Sequence, residues 1–172
     1  MRRILFTGLA AAVLTLPAAA AQAGGRAHTG WLVVRGAAND GGLAGTPVAT
    51  IVVRGFVLGR IADEGSVQIY HVGTATQGLP QVAGSDVSRS SVTWHGVSGT
   101  QWNGSGFRFR AVSGTYRIVV HGSGVYLFAG GHGSVTLAGS VLAPAGDGRY
   151  SLDGARFRSL PTRAVTRPIG SG

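Results

Sequence analysis

Two arginines lie in a short stretch that the sequence predicts to be a β-hairpin. The stretch GFRFRAVSGTYRIVVHG (106–122) carries β-forming residues on both sides of Ser113-Gly114, which is typical of two strands joined by a two-residue turn. In that register Arg110 lies directly opposite Arg117. Like charges placed opposite each other destabilise a sheet, so this pair needs a physical explanation.

A second stretch repeats the arrangement. In GRYSLDGARFRSL (148–160), Asp153-Gly154 is a strong signal for a type I′ turn, which needs positive φ at both positions. The predicted register sets Arg149 opposite Arg158. The candidate anion-binding residues of the two hairpins are Arg108, Arg110, Arg117, Arg149, Arg156 and Arg158.

These arginines allow two interpretations. Guanidinium groups on a rigid sheet bind phosphate, carboxylate or sulfate in a bidentate way, so they predict an anion-binding face. Alternatively, they form an ordinary solvated outer face, where the charged heads spread into water and the stems cover apolar surface. The stretch VYLFAG (125–130) is apolar on both faces, which indicates that the second face of the sheet is partly covered or forms a groove.

Aromatic and histidine residues offer weaker candidate sites. Trp102 lies in the Gly-rich stretch GTQWNGSG (99–106), predicted to be a loop, and is the candidate residue for stacking on a sugar ring. Tryptophan in a β protein is, however, usually a core residue. His121 and His132 are weak candidates for a metal pair, because no metal-type spacing accompanies them.

The composition excludes several kinds of catalysis. The chain has no cysteine and no lysine, so a thiol nucleophile, a Schiff-base lysine and a P-loop are all excluded. The stretch GVSGT (96–100) lacks the final glycine of a nucleophile elbow. We assign no catalytic residue and expect no cofactor. Four of the six acids directly precede glycine, which is typical of turns: Asp40, Glu64, Asp147 and Asp153.

The first 23 residues have the pattern of a secretory signal peptide. A basic start (MRR) precedes the apolar run ILFTGLAAAVLTLP, and small residues at Ala21 and Ala23 predict cleavage near Ala23. Loss of Arg2 and Arg3 from the chain's 15 arginines would leave 13 against six acids, a net charge of +7. We therefore expect an exported basic protein without a membrane span, attracted to anionic polymers or cell-surface components. Export disfavours nucleic acid as its partner.

The rest of the chain predicts a single all-β domain. Glycine-rich turns separate β-branched segments, and no long 3.6-residue periodicity occurs. We expect an antiparallel β-sandwich or flattened β-barrel of about eight to ten strands. Residues 24–30 would lead into a domain at 31–160 with a flexible loop at 73–90, followed by a disordered basic tail at 161–172. The candidate strands are 31–35, 49–61, 66–72, 91–97, 106–112, 115–121, 125–130, 134–140, 148–152 and 155–160.

A weak internal repeat has two explanations. IVVRG (51–55) resembles IVVHG (118–122), and Gly-Ser-Val follows each of them, at 65–67 and 133–135. The repeat indicates either two related β-meanders packed with pseudo-symmetry or chance similarity in a Gly/Val-rich sequence.

No activity follows from the sequence alone. The favoured hypothesis is an exported, non-enzymatic protein that associates with the cell envelope or an extracellular anionic polymer through its arginines. One alternative is a small secreted hydrolase or metal-dependent enzyme that uses histidines. Another is a structural or self-assembling surface protein that pairs exposed edge strands between chains.

Overall fold

The computed structural model of the chain describes residues 28–39, 45–73, 78–140 and 148–170, and the structural statements below concern these residues. The predicted signal peptide lies outside them. Asp40 and Asp147 also lie outside them.

The described residues form one antiparallel sheet of nine strands, which is not closed into a barrel. This confirms the predicted all-β class and the expected number of strands. The order across the sheet is β3-β5-β2-β6-β1-β7-β8, with β4 paired to β5 and β9 paired to β6. No described segment forms a helix of the length and apolarity needed to cross a membrane. The strands are β1 (Gly30–Ala37), β2 (Ala49–His71), β3 (Gln81–Ala83), β4 (Val87–Trp94), β5 (Val97–Gly122), β6 (Val125–Leu137), β7 (Arg149–Leu152), β8 (Arg158–Ser159) and β9 (Val165–Ile169).

The long strands β2 and β5 organise the fold as a coiled two-stranded ribbon. The first half of β2 (49–61) lies opposite 107–120 of β5, and the second half (64–71) continues opposite 99–105. Along its other edge, the second half of β2 also pairs with 116–122 of β5. The ribbon therefore curls back on itself, and side chains on the inner side of the curl are shielded from solvent.

The core fills the inner side of this curl. Phe107, Tyr116 and Ile118 of β5 are fully buried, together with alternate residues of β2 and β6. The packing is tight enough that a side chain at Gly59 would overlap the ring of Phe109. Since close-packed interiors transmit small changes in volume, the core fixes which residues of each strand face outwards.

The first predicted hairpin is wrong, because β5 passes through Ser113-Gly114 without reversing. Ser113 has a φ of 60°, but Gly114 does not have a positive φ, whereas a type I′ turn needs both. The residue with positive φ instead bends a continuous strand, and both sides of the bend pair with β2. Arg110 and Arg117 are therefore not opposite each other.

The second predicted hairpin forms, but its strands pair one residue away from the predicted register. Asp153 and Gly154 have φ values of 51° and 75°, as the predicted turn requires. Tyr150, rather than Arg149, lies opposite Arg158. The second predicted arginine pair is therefore also wrong.

Local contacts account for the slip of one residue. The hydroxyl of Ser151 donates to the carbonyl oxygen of Ala155 at 2.5 Å, and residues 155–157 do not join the ladder. The ring centroid of Phe157 lies 4.7 Å from the guanidinium carbon of Arg35 on β1. These contacts keep residues 155–157 out of the ladder. When pairing begins at Arg158, it is shifted by one residue from the predicted register.

Two segments that the sequence predicted to be irregular contain strands. All of β3 and the start of β4 lie within the expected loop 73–90. Within the expected disordered tail 161–172, β9 pairs with β6 and buries Ile169. Most of the side chains in these short strands are exposed, so they lack the apolar alternation by which strands are recognised in a sequence.

The internal repeat does not fold as two equivalent units. The two Ile-Val-Val segments lie in neighbouring antiparallel strands, with Ile51 opposite Ile118. After the first copy the chain continues along β2, whereas after the second it turns at Ser123-Gly124 into β6.

Candidate anion-binding face

The outer side of the ribbon faces solvent. On β2, Val52, Arg54, Leu58 and Arg60 are exposed, and buried apolar residues alternate with them. Because successive side chains of a strand point to opposite sides, the exposed set shares the outer side of the sheet. Cross-strand partners of these residues on β5 and β6 lie on that same side.

Two pairs of arginines do lie directly opposite each other there. Arg60 of β2 is the partner of Arg108 of β5. Arg35 of β1 is the partner of Arg149 of β7. Like charges therefore do lie opposite each other in this sheet, but the partners differ from those predicted from the sequence.

We call the outer side of β1, β2, β5, β6 and β7 the arginine face. No arginine of this face forms an ion pair with a carboxylate of the described residues. Its arginines are Arg35, Arg54, Arg60, Arg108, Arg110, Arg117 and Arg149. The acids that the structure describes are Asp63 and Glu64 within β2, Asp86 in the bend before β4, and Asp153 in the turn after β7. The positive charge of the face is therefore not neutralised by neighbouring carboxylates of this part of the chain.

An apolar band runs between the arginines. Trp31, Leu58, Tyr126 and Phe128 are 48%, 39%, 45% and 40% exposed, which is unusual for four large apolar side chains on one surface. The rings of Phe56 and Phe128 meet edge to face, with their centroids 5.3 Å apart. The stretch 125–130 was predicted to have a second face that is partly covered or forms a groove. On that face Tyr126 and Phe128 are partly exposed, and Phe56 packs against Phe128.

Charge and apolar surface alternate across the strands. Two neighbouring rows cross β5, β2 and β6, and each row joins arginine to an apolar side chain. The rows are Arg108–Arg60–Tyr126 and Arg110–Leu58–Phe128. Adjacent strands lie about 4.8 Å apart, so each row presents charged and apolar groups over about 10 Å.

A shallow depression of about 290 Å³ lies beside these rows. Arg108 and Arg110 line it together with Leu58 and Gln81. The Nε of Arg110 donates to Oε1 of Gln81 at 2.8 Å, which orients the guanidinium without neutralising it. An oriented and uncompensated guanidinium is well suited to receive a carboxylate or phosphate from outside.

Arg117 is held differently, between two aromatic rings. Its guanidinium carbon lies 4.4 Å from the centroid of Trp94 and 5.3 Å from that of Tyr70. Partial burial lowers the pKa of Arg117, while the interaction with Tyr70 acts in the opposite direction. The rings restrict the arginine to one orientation, so little side-chain freedom would be lost if an anion bound to it.

A chain of side-chain amides continues from this aromatic pair. Tyr70 donates its hydroxyl proton to Gln68 at 2.9 Å, and Gln68 donates to Gln101 at 3.0 Å. Gln101 in turn donates to Asn103 at 2.6 Å. A row of planar amides offers both donors and acceptors, which suits a partner rich in hydroxyl groups.

The structure brings four of the predicted arginines onto one face and separates the other two. Arg108, Arg110, Arg117 and Arg149 lie on the arginine face. Arg158 lies opposite Tyr150, which packs against the core, so its position falls on the other side of the sheet. Arg156 is exposed in the segment between β7 and β8.

Sequence reasoning missed three arginines of the face. Arg35, Arg54 and Arg60 each lie in a strand whose buried apolar residues are at alternating positions. Each of these arginines lies at one of the positions that alternate with the apolar residues, so the sequence already indicated that its side chain faces outwards. These three arginines occur singly in their strands, whereas the predicted sites were stretches with paired arginines.

The two candidate metal-binding histidines do not form a pair. His121 on β5 lies opposite Ser66, and His132 on β6 lies opposite Arg54. The strand β2 runs between them. No group of three or more potential metal ligands occurs among the residues that the structure describes.

Trp102 lies in β5 rather than in a loop. It is half-buried, packs against the core and faces the inner side of the sheet, away from the arginine face. It borders a separate groove on that inner side.

No protein family, curated protein or solved structure matches this chain. The case for a function therefore rests on the residues of the face itself.

Proposed function

We propose that this chain is an exported, non-enzymatic protein whose arginine face binds an acidic polysaccharide of the cell envelope or its surroundings. The observation that carries the proposal is the pair Arg60–Arg108. Two guanidiniums held opposite each other cost stability in an empty sheet, and a bridging carboxylate or phosphate turns that repulsion into attraction.

Charge complementarity supports an anionic partner. The arginine face carries seven arginines, and none of them forms an ion pair with a described carboxylate. From β7 to β5 the face spans four strand spacings, or about 19 Å, which is longer than a small anion needs. An extended polyanion contacts several of these charges at once, and each contact makes the others more favourable.

The apolar band and the amide row favour a polysaccharide as that polymer. Sugar rings have apolar faces that pack on aromatic side chains such as Trp31 and Tyr126. Their hydroxyl groups match the donors and acceptors of Gln68 and Gln101. A partner with charge alone would gain nothing from either feature.

Binding of wild-type protein to immobilised polygalacturonate, with dextran as the neutral control, tests the proposal. We expect saturable binding to polygalacturonate only, with an affinity that falls steeply between low and physiological salt. Vesicles with and without anionic lipid serve as a second probe. Binding to anionic vesicles but not to polygalacturonate, or binding that salt does not weaken, would contradict the proposal.

Edge pairing between copies is a second candidate function. β4 pairs with β5 along one edge, and its other edge has no partner among the described strands. Such an edge can template pairing with another chain. Analytical ultracentrifugation over a range of protein concentrations distinguishes the two, since a monomer that binds polygalacturonate excludes self-assembly as the main role.

A further inference from the structure

A second candidate site lies on the inner side of the sheet, beyond the core. A groove of about 710 Å³ opens where the curled ribbon is not filled by apolar side chains. Its volume falls within the ~300–1,000 Å³ range of small-molecule sites. It opens on the opposite side of the sheet from the arginine face, and Gln81 and Ala83 of the edge strand β3 line both this groove and the depression on that face.

The floor of the groove combines a flat ring with hydroxyl groups. Ser98, Thr100 and Trp102 line it and alternate along β5, so their side chains point to the same side. They span about 13 Å along the strand, which is long enough to contact a sugar ring and its substituents. His71 of the neighbouring strand adds an imidazole to the lining.

Arg89 supplies the only charged side chain among the described lining residues. It is the cross-strand partner of Trp102, and its guanidinium carbon lies 5.9 Å from the centroid of that ring. No described carboxylate pairs with it. The uncompensated guanidinium of Arg89 therefore lies over the ring of Trp102, and one ligand in the groove can contact both groups.

The wall of the groove is attached to β5 at two points. It is formed by residues 79–83, and the hydroxyl of Tyr116 hydrogen-bonds to the carbonyl oxygen of Gly78 at 2.7 Å. Further along, Val82 of β3 pairs with Phe109 of β5. A site that is already shaped loses little free energy to ordering when it binds.

We infer that this groove binds a single acidic sugar residue, with the ring stacked on Trp102 and the carboxylate paired with Arg89. The stacking surface explains the preference for a ring, and Ser98 and Thr100 match its hydroxyl groups. The single arginine without an acidic neighbour explains the preference for one negative charge. A purely apolar ligand would leave the hydroxyls and the guanidinium without use.

Titration calorimetry with D-glucuronate, and with D-glucose as the neutral comparison, tests this inference. We expect saturable binding of glucuronate and a shift of one indole N–H signal, that of Trp102, in the NMR spectrum. Arg89→Gln should weaken glucuronate binding about tenfold or more, because hydrogen bonds to charged groups contribute about 1.5–3 kcal/mol. Arg163→Gln, an exposed arginine outside the groove, is the matched control.

Trp102 packs against the core, so its replacement could unfold the chain; Thr100→Val is the second variant. It should weaken glucuronate about fivefold, as expected for one neutral hydrogen bond. Equal binding of glucose and glucuronate, no saturable binding, or equal losses in Arg89→Gln and Arg163→Gln would each overturn the inference. If the wild-type protein bound polygalacturonate but not glucuronate, the inference about the groove would be rejected, and the proposal for the arginine face would not be affected.

Discussion

At the scale of single residues, the like-charge pair Arg60–Arg108 is the most informative feature. Residues directly opposite each other in an antiparallel sheet have Cβ atoms about 5 Å apart, so the charged groups interact unless water or salt screens them. An unbound pair of this kind only destabilises the sheet, whereas an anion bound between the two arginines would make their position favourable. Replacing one of these arginines should therefore raise the stability of the folded protein, because the repulsion is removed, and should weaken the proposed anion binding.

Arg60→Gln should make the folded protein more stable. Removing one charge of the pair should raise the free energy of unfolding by about 0.2–1 kcal/mol at low ionic strength, and the gain should shrink in high salt. Urea unfolding at low and high salt measures this effect. Arg163→Gln is the control and should give no gain. A loss of stability in Arg60→Gln at low salt would show that the pair is not repulsive.

Tyr116 gives a pH-dependent prediction. Burial raises its pKa above the ordinary value of 10.0, because the fold favours the neutral phenol. A raised folded-state pKa contributes stability that is present below the unfolded pKa and is lost as pH rises through the folded pKa. The wild-type protein should therefore lose stability above about pH 10.

Tyr116→Phe should remove that part of the alkaline loss. At neutral pH it should destabilise the protein by about 1 kcal/mol, because the hydroxyl no longer hydrogen-bonds to Gly78. Urea unfolding at neutral and alkaline pH checks both effects. An unchanged alkaline loss in the variant would assign that loss to other groups.

At the scale of elements, the sequence predicted which side each residue of β5 faces but not which strand lies beside it. The hairpin register predicted for 106–122 sets Phe109 and Ala111 on the same side as Tyr116 and Ile118, and all four are buried. A two-residue turn and a continuous strand with a bulge both place these four residues on one side. The bulge adds one residue to β5, and this extra residue shifts the in–out alternation by one position, so that Ala111 and Tyr116 both face inwards. The pattern of burial could not distinguish the two.

The turn residues did contain a hint. Type I′ turns favour Asn, Asp or Gly at the first central position, and Ser113 fits this preference poorly, whereas Asp153 fits it well. The hairpin at Asp153 formed and the one at Ser113 did not. The arginine face could be predicted only in part. The alternation of apolar residues indicates which arginines face outwards, but the cross-strand partners of each arginine depend on the pairing of strands that are distant in sequence.

Ser113→Gly tests the bend in β5. A non-glycine residue with a φ of 60° is strained by roughly 1 kcal/mol, and glycine adopts that conformation freely. The variant should therefore be at least as stable as wild type, whereas Ser113→Val should be clearly less stable, since a β-branched residue disfavours positive φ. Thermal unfolding of the two variants gives the comparison. Equal stability of both would mean that position 113 is not held at positive φ.

At the scale of the whole molecule, the coiled ribbon explains how a small sheet carries two unlike surfaces. The inside of the curl is filled by the core at one end and opens as the groove beside Trp102 at the other. The outside remains a broad face on which arginines separated by many residues in sequence become neighbours. The functional proposal depends on this collective surface rather than on any single residue.

Comparing two double variants with equal loss of charge tests that claim most directly. Arg60→Gln/Arg108→Gln removes the opposed pair, whereas Arg163→Gln/Arg167→Gln removes two exposed arginines away from the arginine face. Polygalacturonate binding should weaken about tenfold or more in the first variant and lose much of its salt dependence, while the second stays close to wild type. Equal losses in both variants would show that only net charge matters, and would contradict a specific binding face.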